Sequence, residues 1–108
     1  MEYDGWSTER WAERALTYLD ERGWEQGQYE SEDGRVCLLG ACALALTDGQ
    51  ISDFGLLFAG GSVAADVVES IRRCMPLEAR DMSIEEWQDS EPTTVEDVRR
   101  VLKCVAEL

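Results

Sequence analysis

The run from Val36 to Leu46 carries no charged side chain and no side-chain oxygen or nitrogen, and it limits the fold more than any other feature of the chain. It is too short to cross a bilayer, because a spanning helix needs about 20 apolar residues. Its leucines and alanines favour a helix over Val36–Thr47, closed by Asp48-Gly49. A helix without a polar face has to be surrounded. The expected fold is therefore mainly α, a single domain over residues 1–108 with about four helices packed around this central apolar one. Gly40 costs roughly 1 kcal/mol relative to alanine inside a helix, and its expected use is close approach of a neighbouring backbone.

The rest of the chain supplies the cover. A helix over Thr8–Arg22 follows from Ser7 as cap, Glu9 in the first turn and Gly23 as a left-handed stop. Trp6 and Trp11 have the spacing of a hydrophobic staple. Trp11, Ala12, Ala15, Leu16, Tyr18 and Leu19 form its inner stripe, and Glu13, Arg14, Asp20 and Glu21 face water. A third helix spans Ser62–Cys74, with Val63, Val67, Ile71 and Cys74 on one inward stripe, Val68 beside it, and Pro76 beyond its end. One further turn is expected over Ile84–Asp89 after Ser83. The last helix starts at a capping box of Thr93 and Glu96 and carries the stripe Val95, Val98, Leu102 and Val105.

Two connections are less regular. Residues 24–36 hold Gly27 and the Asp33-Gly34 pair, which suits an excursion that reverses direction, with a small β-hairpin as one form of it. Glu30, Glu32 and Asp33 lie just before Gly34, but the ligand spacing of a calcium loop and its terminal glutamate are missing. Between Gln50 and Gly61 the cluster Phe54-Gly55-Leu56-Leu57-Phe58 has two readings. Either it folds onto the core, or it is an exposed apolar loop that docks a partner.

The net charge is −13, with 23 acidic against 10 basic residues, and it is unevenly placed. Residues 1–33 carry 10 acids and 3 bases, residues 34–77 carry 4 and 3, and residues 78–108 carry 9 and 4. Acidic flanks thus enclose a nearly neutral centre, which excludes a phosphate-neutralising surface and direct nucleic-acid binding. Histidine is absent, which removes Ser-His-Asp and Cys-His catalysis and His-ligated zinc. The N-terminal residues Met1 to Trp6 show no basic and apolar signal pattern, so a cytoplasmic location is expected. There, Cys37, Cys42, Cys74 and Cys104 are expected to be reduced, small buried hydrophobes. They contain no C-x-x-C pair, and neither a metal nor a cofactor is implied.

Several separated fragments form an ordered set: Gly23-Trp24, the turn ending in Gly34, Cys37-Leu38-Leu39-Gly40-Ala41, and Trp87-Gln88-Asp89 followed by the capped last helix. The set resembles a family of small actinobacterial and actinophage proteins whose pattern runs Gly-Trp, Cys-Leu-x-Gly-Ala, Trp-Asn-Asp. The likeness covers roughly residues 8–106. Gln88 departs from it by standing where the pattern has asparagine, which puts any side-chain role of that asparagine in question. The structural motif residues it marks are Trp24, Cys37, Gly40, Trp87 and Asp89. The two tryptophans read as anchors covering the ends of the central helix. The resemblance brings no activity with it, and it implies a phage-encoded protein acting in a bacterial cytoplasm.

Three functions fit these residues. The first is a non-enzymatic protein that binds and modulates a host protein through Phe54, Leu56, Leu57 and Phe58. The second is a nucleic-acid mimic whose carboxylates occupy the basic groove of a DNA-binding protein. The third is an enzyme using Cys37, whose thiol would be activated at the helix N-terminus with Arg35 nearby.

Overall fold

The structure is a computed structural model that describes residues 8–27, 30–47, 49–50, 52, 62–79 and 81–107. Five α-helices lie among these residues: α1 Thr8–Arg22, α2 Leu38–Leu46, α3 Ser62–Cys74, α4 Ile84–Gln88 and α5 Val95–Ala106, with a 3₁₀ turn at Leu77–Ala79. The chain is mainly helical, as its apolar periodicities predict, and no β-strand forms among the described residues.

The end of α1 falls where the glycine predicts. Gly23 has φ +90°, a conformation that costs other residues about 1–2 kcal/mol, and its N–H donates to the Leu19 carbonyl at 2.8 Å. Trp11, Ala12, Ala15 and Leu19 are buried, while Glu13, Asp20 and Glu21 are exposed. Arg14 departs from the expected solvent face: it is half-buried, with its guanidinium 5.9 Å from the Tyr18 ring centroid. The Ser7 cap and Trp6 lie outside the described residues.

All nine residues of α2 are buried, as an apolar helix requires. It begins two residues later than the apolar run, because the backbone of Val36 is engaged elsewhere. Val36 N–H donates to the Gly23 carbonyl at 2.9 Å, and its carbonyl accepts from Glu25 N–H at 3.0 Å. Two isolated bridges, Trp24 with Val36 and Glu30 with Val36, therefore take the place of the hairpin expected at residues 24–36. A ladder needs successive pairs, and here both partners converge on one residue. The turn itself closes through Ser31, whose side-chain oxygen accepts from Arg35 N–H at 3.0 Å.

The main helix pairings are α1 with α2, α1 with α5, α3 with α5, and α3 with α4. The fully buried α2 takes part in this packing. Its most extensive helical neighbour is α1, and α1 is the helix that joins α2 to α5. An Asp20–Arg99 ion pair reinforces the α1–α5 contact at the surface.

The start of α5 lies one residue beyond the expected cap. Thr93 is buried and its N–H donates to the Ser90 carbonyl at 3.0 Å, which leaves Thr94 to cap the helix. A capping box forms between Thr94 and Asp97 in place of Thr93 and Glu96. A second capping box, Ser83 with Glu86, starts α4 and allows so short a helix to hold its position.

The cysteines divide into two kinds. Cys37 and Cys42 are free and buried, in line with the reading as small hydrophobes. Cys74 and Cys104 correct that reading: they are joined by a disulfide with a Cα–Cα distance of 5.8 Å, Cys74 half-buried and Cys104 exposed. The helix pairing of α3 with α5 brings them together, a juxtaposition that sequence spacing does not reveal.

Backbone and side-chain hydrogen bonds from Thr94 hold the Asp97 carboxyl below its ordinary value. A carboxyl lowered in the folded state contributes stability above its unfolded pKa of about 4. That contribution is lost as pH falls through the folded value. Thr94→Ala is expected to cost about 0.5–2 kcal/mol in urea unfolding at pH 7. Asp97→Asn should flatten the loss of stability below about pH 4. Thr93→Ser, with no cap to disturb, should leave that acid limb unchanged.

Candidate functional site

Of the residues singled out by the sequence pattern, Trp24, Cys37, Gly40 and Asp89 lie around the N-terminal end of α2, with Gln88 among them. The short helix α4 carries Trp87 and Gln88 into the interior, where both are buried. The Gln88 side chain is only 2% exposed, and a buried amide needs partners for each of its polar positions. It has them. Its Oε1 accepts from the Trp24 indole N–H and from Leu38 N–H, the latter at 3.0 Å. Its Nε2 donates to the Glu25 carbonyl at 3.1 Å and to Asp89 Oδ1 at 3.0 Å.

Neighbouring groups extend the network. Asp89 Oδ1 also accepts from Gly27 N–H at 2.8 Å. Gln26 Nε2 donates to the Gln88 and Ser90 carbonyls, both at 3.0 Å. Three parts of the chain distant in sequence are thereby tied together: the loop after α1, the first turn of α2, and α4 with its exit. The bond to Leu38 matters for α2 in particular, since the first N–H groups of a helix have no partner within it.

Gln88 thus supplies the side-chain role that its departure from the asparagine pattern had put in question. Sequence reasoning passed over it as a site residue. The available signal was its position between Trp87 and Asp89 on a short helix whose other inward residues are apolar.

Cys37 lies beside this network as the N-cap of α2, its Sγ accepting from Gly40 N–H at 3.3 Å. Gly40 is buried in the first turn of the helix. The position at a helix N-terminus is the one expected of an activated thiol, but the environment reverses the effect. Burial pushes the Cys37 thiol up to about 11, outweighing the hydrogen bonds from Gly40 and Leu39 that lower it. Cys42, wholly buried, is also raised by burial. Arg35 is exposed and engaged with Glu25 at 3.3 Å and Asp33 at 3.1 Å.

Of the two tryptophans, Trp24 is half-buried at the N-terminal end of α2 and Trp87 is 5% exposed within the core. Phe54, Leu56, Leu57 and Phe58 lie outside the described residues. Among the described residues no group of three or more His, Cys, Asp or Glu side chains is arranged to hold a metal ion. No described helix is long and apolar enough to cross a membrane. A groove of about 380 Å³ runs beside α1, lined by Arg14, Thr17, Tyr18 and Glu21.

Residues 7–108 match the model of a family of unknown function, DUF6197. No curated protein and no solved structure matches the chain.

With its thiol near 11, Cys37 holds about one part in ten thousand as thiolate at pH 7. Alkylation of the native protein by iodoacetamide at pH 7 should therefore leave Cys37 unmodified until the protein is unfolded, as judged by peptide mass spectrometry. Native-state labelling as fast as that of an exposed thiol would contradict the environment described.

Proposed function

The chain belongs to this family of unknown function, and from that premise we propose that it is a non-enzymatic domain that binds and modulates a bacterial host protein. The observation that carries the reading is the occupation of the pattern residues by one another. Trp24, Gln88 and Asp89 satisfy mutual hydrogen bonds, and Cys37 is a buried, protonated thiol. These groups build the fold, their polar atoms taken up by one another and by the backbone around them. An activity relying on Cys37 is correspondingly disfavoured.

Function then belongs to the surface. Phe54, Leu56, Leu57 and Phe58 are the docking residues we assign, on the reading of this cluster as a solvent-facing apolar loop, since such patches tend to mark interaction sites. A phage-encoded protein acting on a host protein in the bacterial cytoplasm is the setting that the sequence resemblance implies.

The nucleic-acid mimic is the weaker reading. Mimicry requires carboxylates in rows on one face. The exposed acids instead stand on several elements, with Glu9, Glu13, Asp20 and Glu21 on α1, Asp66 and Glu69 on α3, Glu85 and Glu86 on α4, and Glu96 on α5. Such a spread suits an acidic coat that keeps a small domain soluble.

The test is affinity capture from bacterial lysate at low and high salt, with the whole chain and with Phe54→Ala/Phe58→Ala as bait. The proposal predicts a partner retained at high salt and lost with the double variant, whose helical circular dichroism stays at the wild-type level. A DNA-binding partner released by salt and indifferent to the double variant would replace this reading with mimicry.

A further inference from the structure

The Cys74–Cys104 disulfide stands apart from everything the pattern residues explain. It joins the last residue of α3 to the last turn of α5, away from the Gln88 network. We propose that it is a redox-operated clasp. When oxidised it fastens α3 and the following 3₁₀ turn to α5, and when reduced it frees residues 62–79 to open while α1, α2 and α5 stay folded together.

Three observations support the clasp. First, the sulfurs are within reach of a reductant, since Cys104 is exposed and Cys74 half-buried. Second, the remaining cysteines do not interfere. Cys37 and Cys42 are buried thiols whose ionisation is suppressed, and exchange proceeds through attack by a thiolate on the disulfide. The pair therefore opens and closes between two defined states without reshuffling.

Third, the element it holds is peripheral to the main packing. The α1–α2 and α1–α5 pairings do not involve α3, which packs mainly on α5 and α4. Val67, Ile71, Met75 and Ala79 are buried in this segment, and an Arg72 Nη1 hydrogen bond of 2.9 Å to the Met82 carbonyl ties it to the entry of α4. A segment outside the two most extensive helix pairings is one that opens locally at lower free energy than the core. In a reducing cytosol, moreover, disulfides that form are characteristically transient and redox-sensing.

The chemistry balances with a dithiol as reductant. The Cys74 Sγ–Cys104 Sγ bond breaks, the two sulfurs take up two electrons and two protons, and the dithiol closes to its own disulfide. Re-formation is the reverse, with a disulfide of the same class as oxidant. The inference is independent of the protein-binding proposal, because it concerns the fold's own response to redox potential.

The experiment is amide hydrogen exchange by mass spectrometry on the whole chain, purified without reductant and then compared before and after dithiothreitol. Cys74→Ser serves as a second route to the open state. The clasp predicts two alkylatable thiols in the unfolded protein before reduction and four after it. It also predicts exchange in residues 62–79 faster by at least about tenfold on reduction, with α1 and α2 changed by less than about twofold. Four free thiols before reduction would overturn the proposal. So would unchanged exchange in residues 62–79, or uniform acceleration along the chain, which marks a structural staple in place of a clasp. If Cys74→Ser does not fold, the reduced wild-type chain decides among these outcomes alone.

Discussion

A single buried amide organises this protein. Gln88 accepts from an indole N–H and from the first turn of a helix, and donates to a loop carbonyl and a neighbouring carboxylate. Burying such a group unpaired would cost several kcal/mol, so the loop, α2 and α4 have to be positioned together for any one of them to be stable. That mutual dependence explains why a helix of only five residues, α4, is held in place. It also fixes residues 24–27 after α1, which bond to Gln88, Asp89 and Ser90.

The same network separates scaffold from function. Ordered motifs in a small chain invite a catalytic reading, and Cys37 at a helix N-terminus invites it most. The geometry directs those residues inward. The thiol is covered, its proton is retained, and the aromatic anchor Trp24 is hydrogen-bonded to the amide. Electrostatics act in the same direction, for the acidic residues lie on the solvated faces of most helices and leave a neutral apolar centre.

Much of the fold is legible in the sequence, and the parts that are not share a cause. Gly23 marks the end of α1 because its left-handed conformation is a local requirement, and the burial of α2 follows from its lack of any polar face. Local signals fail where two local solutions compete. Thr93 with Glu96 and Thr94 with Asp97 both satisfy the capping pattern, and only the burial of Thr93 selects the second. The network at Gln88 and the Cys74–Cys104 disulfide are long-range facts. A glutamine reads as a surface residue until Trp24 and Leu38 are brought to it, and two cysteines 30 residues apart read as unrelated until α3 and α5 pack. The sequence pattern marks Trp24, Cys37, Trp87 and Asp89, while Gln88 at the centre of the network and its role as a structural joint do not show in it.

The central claim is that Gln88 and its partners act as a unit, and a double-mutant cycle of Trp24→Phe and Gln88→Leu in denaturant unfolding tests it most directly. Gln88→Leu should cost at least the ~1–3 kcal/mol of one stranded buried polar group. Trp24→Phe should cost less, and the double variant should be more stable than the sum of the single losses implies, by about 0.5–3 kcal/mol. Additive losses, or a Gln88→Leu variant as stable as the wild type, would contradict the account.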